Sequence, residues 1–341
     1  MINHLSDLSN EMIPAVEMEL RDVLRFKEHG DDLFYGMMHY HMGWVNEELD
    51  SLEVNGGKRV RPLLCLLACA ASGGDWKRTV PAAASIEFIH NFSLIHDDIQ
   101  DASPTRRGRL TVWKLWGVSQ AINTGDAMFA LAHTAMERLS TRDVDDSISL
   151  QALRMLDNTS LELTRGQFMD MQFEERDDVS VDDYLAMING KTAALLSLSA
   201  EIGALVSDCR PEIVRHFAAF GRDLGLAFQI RDDILGIWGD ETVIGKSAAT
   251  DIETRKKSLP VLHGLSKDDT LRRMYEEEDS SDEFVAAVVE HLGQTGSREF
   301  AESFEQKYAD SALAHLEAVS PEGKAGEALL QLTGSLLNRQ F

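Results

Sequence analysis

The stretch Ile86–Asp101, reading IEFIHNFSLIHDDIQD, decides the fold. Ile86, Ile89, His90 and Leu94 recur at spacings of three and four, the stripe of an amphipathic helix. The run ends in Asp97-Asp98-Ile99-Gln100-Asp101. Acids that close an apolar helix need a reason, because burying charge is costly unless it is paired or bound to metal. Positions four apart on a helix share a face, about 6 Å apart along the axis. Asp97 and Asp101 therefore point one way and Asp98 is turned round the helix. The plain alternative is a solvated helix end.

A second acidic segment, Asp232-Asp233-Ile234-Leu235-Gly236, follows the apolar run Leu224–Ile230. Oxygen ligands on two such segments suit Mg²⁺, which is held by a few carboxylates together with substrate phosphates. The pairing points to chemistry on a diphosphate.

Helical spacing continues outward in both directions. Ile13, Val16, Leu20, Val23 and Leu24 form one stripe, Leu150, Leu153, Leu156 and Leu161 another, and Leu195, Leu198, Ile202 and Leu205 a third. Alternating strands are absent, and so are fixed-period repeats. With 7 prolines in 341 residues and 44% hydrophobic content, long helices around a sizeable core are expected. Polar connections fall at Gly73–Asp75, Ser140–Asp146, Asp177–Asp183 and Glu276–Asp282. The expected architecture is all-α, one helical bundle in a single domain over 1–341. A mobile cationic loop, Gly239–Ser258, is expected near its mouth.

The formal net charge is −24, which opposes binding to nucleic acid and to anionic membranes. An anionic substrate must therefore be captured by local cations and metal. Three cysteines, Cys65, Cys69 and Cys209, give no disulfide framework and fit a reducing compartment. Cys65 and Cys69 read as core residues. No apolar run reaches the ~20 residues of a membrane span, and the first residues lack a signal-peptide pattern. A soluble cytoplasmic protein is expected.

The local cations are distinctive. Gly56-Gly57-Lys58-Arg59-Val60-Arg61-Pro62 joins a flexible turn to three of them. Lys58 and Arg61 would share a face if a helix starts there. Such a basic helix start is unfavourable unless an anion is present. Arg106-Arg107-Gly108 follows the first acidic cluster. Lys191 and Thr192 follow Gly190 at an expected helix start, where backbone N–H groups favour an anion. Gly245-Lys246-Ser247 looks like the end of a P-loop but lacks the glycine spacing and the preceding strand.

In order along the chain, GGKRVRP, IEFIHNFSLIHDDIQDASPTRRG, NTGDAMFALA, GQFMDM, GKTAALL, FQIRDDILGIWGD and GKSAATDIETRKKSLP resemble the trans-isoprenyl diphosphate synthases of the polyprenyl synthetase family. The likeness runs from about Gly56 to Pro260. It implies helices around a deep central cavity, as a rule in a homodimer. It also implies head-to-tail joining of isopentenyl diphosphate to an allylic diphosphate, with both diphosphates as the small-molecule partners. By position, Asp97 and Asp101 would hold two Mg²⁺ ions with Asp98 in support, and Asp232 a third with Asp233 nearby. Lys58, Arg61, His90 and Arg107 would bind isopentenyl diphosphate. Arg106, Lys191, Thr192, Gln229, Lys246 and Lys256 would bind the allylic diphosphate, with Lys257 competing for the place of Lys256. Gln167 and Asp170 would order the site. Asp97, Asp101, Asp232, Lys191 and Arg106 are thus the expected catalytic set. Gly236 departs from the pattern, standing where many members carry a third aspartate.

The resemblance also bears on product length. Phe92 and Ser93 lie five and four residues before Asp97, where a bulky residue limits chain growth in this family. One aromatic beside a small serine resembles short-chain synthases making C20, with C15 next. Two rival readings keep the fold: a cyclase acting on prenyl diphosphates, and a non-catalytic partner subunit. A cyclase has no use for Lys58, Arg61, His90 and Arg107. A partner subunit tends to lose the aspartates that are all present here.

Overall fold

The computed structural model describes residues 3–25, 32–52, 54, 56–239, 250–277, 279 and 281–338. These are almost entirely helical. Helix α1 is His4–Val23, α2 Leu33–Met42, α3 Val60–Ala71, α4 Val80–Gln100, α5 Val112–Trp116 and α6 Val118–Glu137. Then follow α7 Asp146–Glu174, α8 Val181–Ile188, a π-helical segment Asn189–Ala193, α9 Ala194–Val206 and α10 Pro211–Trp238. Shorter and C-terminal helices complete the chain: α11 Thr250–Glu253, α12 Leu259–Lys267, α13 Asp269–Glu276, α14 Asp282–Gln294, α15 Ser297–Val319 and α16 Gly323–Asn338.

Contacts divide the chain into two compact units. One is Met1–Asn158, Leu198–Arg215 and Ser320–Gln331; the other is Thr159–Ser197, His216–Val319 and Leu332–Phe341. In the first, α4 is the axial element. Proline at its start supplies a residue whose missing N–H costs nothing there. Its buried residues face every direction: Ile86, Phe88, Ile89, Phe92 and Ile95 among them. Each such side chain contributes about 1.5–3 kcal/mol when removed from water, which fixes the helix against α1, α3 and α6. In the second unit, Phe173, Tyr184, Met187, Ile188, Leu226, Ile230 and Ile234 form a core uniting α7, α8 and α10.

The expected connection at Gly73–Asp75 falls between helices. Those at Ser140–Asp146 and Asp177–Asp183 do so in part, Ser140 and Thr141 lying in a 3-10 turn and Val181–Asp183 in the first turn of α8. The one at Glu276–Asp282 lies partly outside the described residues. Cys65 and Cys69 are fully buried free thiols. The stripe Leu150, Leu153, Leu156 and Leu161 needs correction. Leu156 is buried, but Leu150 is 49% and Leu161 70% exposed, so part of α7's apolar face is not covered by this chain. No described helix is long and apolar enough to cross a membrane.

Candidate active site

The first unit builds a cationic pocket from two loops and α4. α3 starts at Val60, not at Lys58, with Arg59 as its N-cap in the left-handed region (φ 49). Lys58 and Arg61 are therefore not on one helical face; a turn brings them to one cavity of about 560 Å³, lined also by Gly57, His90, Arg107 and Arg109. Arg61 Nη1 lies 3.3 Å from His90 Nε2. A guanidinium can only donate, so Nε2 accepts and the imidazole is neutral. Burial, then the charges of Arg61 and Arg107, hold the His90 pKa well below the ordinary value. Arg61 Nε is buried with no hydrogen-bond partner, and no described carboxylate forms an ion pair with Arg61 or Arg107.

Arg106 and Arg107 sit on a feature absent from the sequence reading, a hairpin pairing Thr105–Arg106 with Arg109–Leu110. Its two-residue turn, Arg107-Gly108, has φ 53 and 75, the positive pair that tight hairpin turns require. Strands of two residues are too short to show alternation. The turn lays Arg107 against the glycine loop, where its Nη1 donates to Gly56 O. A Cβ at Gly57 (φ 117) would come within 2.7 Å of Arg107 Nη2, so glycine there makes room for the guanidinium.

The last turn of α4 presents the first acidic motif. Asp101 caps the helix, its N–H donating to Asp97 O at 2.8 Å, so Asp97 and Asp101 keep the expected spacing. Asp98 turns inward. It is 2% exposed and accepts from Arg106 Nε at 2.8 Å. Burial raises its pKa against the opposing pull of Arg106. Among the described residues no three carboxylate, imidazole or thiol groups form a preformed metal cage. A cation here would complete its shell from substrate oxygens and water, as Mg²⁺ does. Below the motif, Phe92 packs on the rings of His96 and Phe129, with centroids 5.0 and 5.3 Å away. Ser93 Oγ donates to His90 O.

The second unit assembles the other predicted residues. Lys191 lies in a π-helical turn between α8 and α9, not at a helix start as expected. Its cause is a close crossing: a Cβ on Gly190 would meet Glu162 O at 2.5 Å, and one on Gly166 would meet Lys191 N at 2.2 Å. That approach brings Lys191 Nζ 2.5 Å from Asp170 Oδ2. Such π-turns recur at functional sites. Thr192 Oγ1 donates to Gln229 Oε1 at 2.7 Å, and Gln229 Nε2 donates to Asp233 Oδ1 at 3.0 Å. Asp233 is 1% exposed and also accepts from the buried Tyr184 hydroxyl at 2.5 Å. Lys256 Nζ reaches Asp233 Oδ1 at 3.3 Å, whereas Lys257 pairs with Asp177. This separates the two lysines. Arg255 is turned to Glu277 O and Asp279 O. Asp232 and Gly236 are half-buried on α10, and Gln167 is buried on α7. Lys246 lies outside the described residues.

The sequence reading passed over four participants. Tyr184 holds Asp233 from 49 residues away. Arg59 is locked between carboxylates of α1 and α4. Arg109 lies over the Tyr40 ring and donates to Tyr40 O and Val45 O. His41 lines a cavity of about 30 Å³ with Asp98, Arg106 and Arg107, and its buried Nε2 lacks a partner. Such a cavity can hold a water.

A model of the polyprenyl synthetase family matches residues 42–292, spanning both sets of residues. The chain belongs to the polyprenyl synthetase family. It is 36% identical over 341 residues to the (2E,6E)-farnesyl diphosphate synthase of Mycobacterium tuberculosis, covering 98% of this chain and 92% of that one. It is 43% identical over 230 residues to that organism's geranylgeranyl diphosphate synthase, covering 67% of this chain and 65% of the relative. The crystal structure of geranylgeranyl pyrophosphate synthetase from Pyrococcus horikoshii Ot3 superposes with a TM-score of 0.87 at 31% identity, covering 99% and 98% of the two chains. This polyprenyl synthetase is a trans-prenyltransferase of all-α fold, and its first-unit pocket holds a neutral histidine and two arginines that have no ion-pair partner among the described residues.

Proposed function

We propose that this polyprenyl synthetase condenses isopentenyl diphosphate head to tail with an allylic diphosphate of C5 to C15. The product is an all-trans prenyl diphosphate, C20 ahead of C15. One observation carries the reading: in a chain of net charge −24, Arg61 is a half-buried cation whose Nε is buried and unsatisfied, with no described carboxylate partner. A charged group in that condition calls for an anion. Lys58, Arg61, Arg107 and neutral His90 are assigned to isopentenyl diphosphate. Arg106, Lys191, Thr192, Gln229 and Lys256, with Lys246, are assigned to the allylic diphosphate.

The carboxylates suit Mg²⁺ in charge and hardness. Asp97, Asp101 and Asp232 would hold the three ions, with Asp98 and Asp233 as their anchored neighbours. Bound there, Mg²⁺ would supply neutralisation of the departing diphosphate. The arginines and lysines orient the two diphosphates and stabilise negative charge as the allylic C–O bond breaks. The isopentenyl double bond then attacks the allylic carbon, and the proton lost from the adduct goes to the released diphosphate. No side-chain base is required, which agrees with a pocket whose histidine is neutral and already accepts from Arg61.

Phe92 is the residue proposed to limit the chain, supported by its aromatic bulk below Asp97 and the small Ser93 beside it. A homodimer is proposed on apolar residues that this chain leaves uncovered: Val118 and Ile122 on α6, and Leu161 and Phe168 on α7, each 42–70% exposed. The deciding experiment is mass analysis of products from the purified chain with isopentenyl diphosphate, Mg²⁺ and each allylic primer in turn. A cyclised hydrocarbon without isopentenyl consumption would overturn the reading in favour of a cyclase. Turnover only with a second chain would favour a partner subunit.

A further inference from the structure

Arg59 stands between two residues assigned to isopentenyl diphosphate, yet its charge is fully engaged. Its side chain is 2% exposed. Nε donates to Glu17 Oε1 at 2.6 Å, and Nη1 to Glu87 Oε1 at 2.6 Å and Gly56 O at 2.9 Å. Glu87 is held in turn by Asn91 Nδ2 at 2.9 Å. Glu17, on α1, also accepts from Trp44 Nε1 at 3.2 Å. The Arg59 backbone is left-handed at φ 49, a conformation that strains a bulky residue.

Stability does not account for this arrangement. Buried carboxylate–guanidinium clusters give up most of their attraction to desolvation, and apolar replacements are often as stable. Left-handed non-glycine residues concentrate at ligand clamps. Here the turn they hold is the one that places Lys58 before α3 and Arg61 in its first turn, both lining one cavity. Glu17 is the member from farthest away, 42 residues earlier in the chain.

We propose that Glu17 is a positioning residue for isopentenyl diphosphate, acting through Arg59 to fix the turn that presents Lys58 and Arg61. This rests on the assignment of the pocket given above. α1, which contributes no cation to the pocket, thereby becomes part of substrate recognition.

The test uses the full chain with Glu17→Ala and Glu17→Gln, the second keeping an acceptor for Arg59. Isopentenyl diphosphate affinity is measured by calorimetry and KM, with the allylic substrate saturating and then varied. Loss of a hydrogen bond to a charged group predicts about a tenfold rise in isopentenyl Kd and KM for Glu17→Ala. Glu17→Gln should show a smaller rise, and allylic KM should hold. Wild-type affinity in a folded Glu17→Gln and Glu17→Ala pair, with only the melting temperature lowered, would overturn the inference alone. Equal shifts in both substrates would do the same. A wild-type chain that binds no isopentenyl diphosphate would overturn the pocket assignment and the inference with it.

Discussion

Tyr184→Phe removes one oxygen from a place where nothing else changes. Tyr184 is 0% exposed, and its hydroxyl donates to Asp233 Oδ2 at 2.5 Å. The acceptor carboxylate is 1% exposed. Its other oxygen keeps Gln229 Nε2 and Lys256 Nζ, so the variant does not leave the charge alone, only one donor short. A hydrogen bond to a charged group contributes about 1.5–3 kcal/mol; we take about 2 for a bond this short and dry. Unfolding entropy near ~2.1 cal/mol/K per residue over 341 residues gives about 0.7 kcal/mol/K for unfolding as one unit. The expected fall in melting temperature is then ~3 °C. Urea unfolding of Tyr184→Phe, Asp233→Asn and the double variant should show strong coupling, because both single changes remove the same bond. Activity should fall as well, since Asp233 anchors Gln229 and Lys256 beside Asp232. A Tyr184→Phe loss below about 0.5 kcal/mol, or additive single and double changes, would refute the bond and the anchoring role built on it.

Four further outcomes are expected. Phe92→Ala should lengthen the product, and chromatography showing an unchanged chain length would count against Phe92 as the limit. Gly166→Ala, whose Cβ would meet Lys191 N at 2.2 Å, should displace Lys191 from Asp170 and cut turnover by about a hundredfold, measured as kcat at saturating substrates. Phe168→Glu combined with Leu161→Glu should yield monomers in sedimentation if α7's exposed face covers a second copy. The fourth is a pH dependence. His41 and His90 are both held well below 6.5, first by burial and then by neighbouring arginines. Below that value the unfolded chain binds more protons than the folded one, so stability should be lost as pH falls. His90→Gln should remove one proton's worth of that slope, up to about 1.4 kcal/mol per pH unit, read from urea unfolding of both proteins at successive pH values.

How much was legible in the sequence depended on how far apart the causes lie. α4 and its acidic end were readable because a helix writes its buried face at spacings of three and four, and Asp97 and Asp101 fall within one turn. The hairpin carrying Arg106 and Arg107 was not readable, since its strands are two residues each. Lys191 was singled out but set at a helix start, whereas it lies in a π-helical turn. The π-turn follows from α7 crossing at Gly166, 25 residues away in sequence, and no local pattern records that contact. Leu150 and Leu161 obeyed the helical period and were still exposed, because periodicity marks an apolar face without saying whether this chain or another covers it. Arg59 was indistinguishable from its neighbours as a letter in GGKRVRP. Only Glu17 and Glu87, distant in the chain, turn it from a ligand into a brace.

The two acidic motifs share a division of labour that follows from helix geometry. Adjacent residues are about 100° apart on a helix, so in each Asp-Asp pair the burial of Asp98 or Asp233 leaves its neighbour Asp97 or Asp232 turned away and only half-buried. A core-facing carboxylate is stable only when paired or hydrogen-bonded. Asp98 has Arg106, and Asp233 has Tyr184, Gln229 and Lys256. In both places the inward aspartate collects the cation or donor proposed for the allylic diphosphate and fixes it next to the outward one. On the proposed assignment the pairing of aspartates does more than raise negative charge: it would couple the carboxylate proposed for metal with the groups proposed for substrate. Replacing Asp98 by Asn would keep an acceptor for Arg106 and relieve a buried charge whose proton affinity is already raised. A folded-state pKa above the unfolded one means that ionised Asp98 weakens the fold as pH rises through it. Asp98→Asn should therefore be at least as stable as the wild type at neutral pH while turnover drops. A variant both less stable and fully active would show that Asp98 serves the fold and not the site.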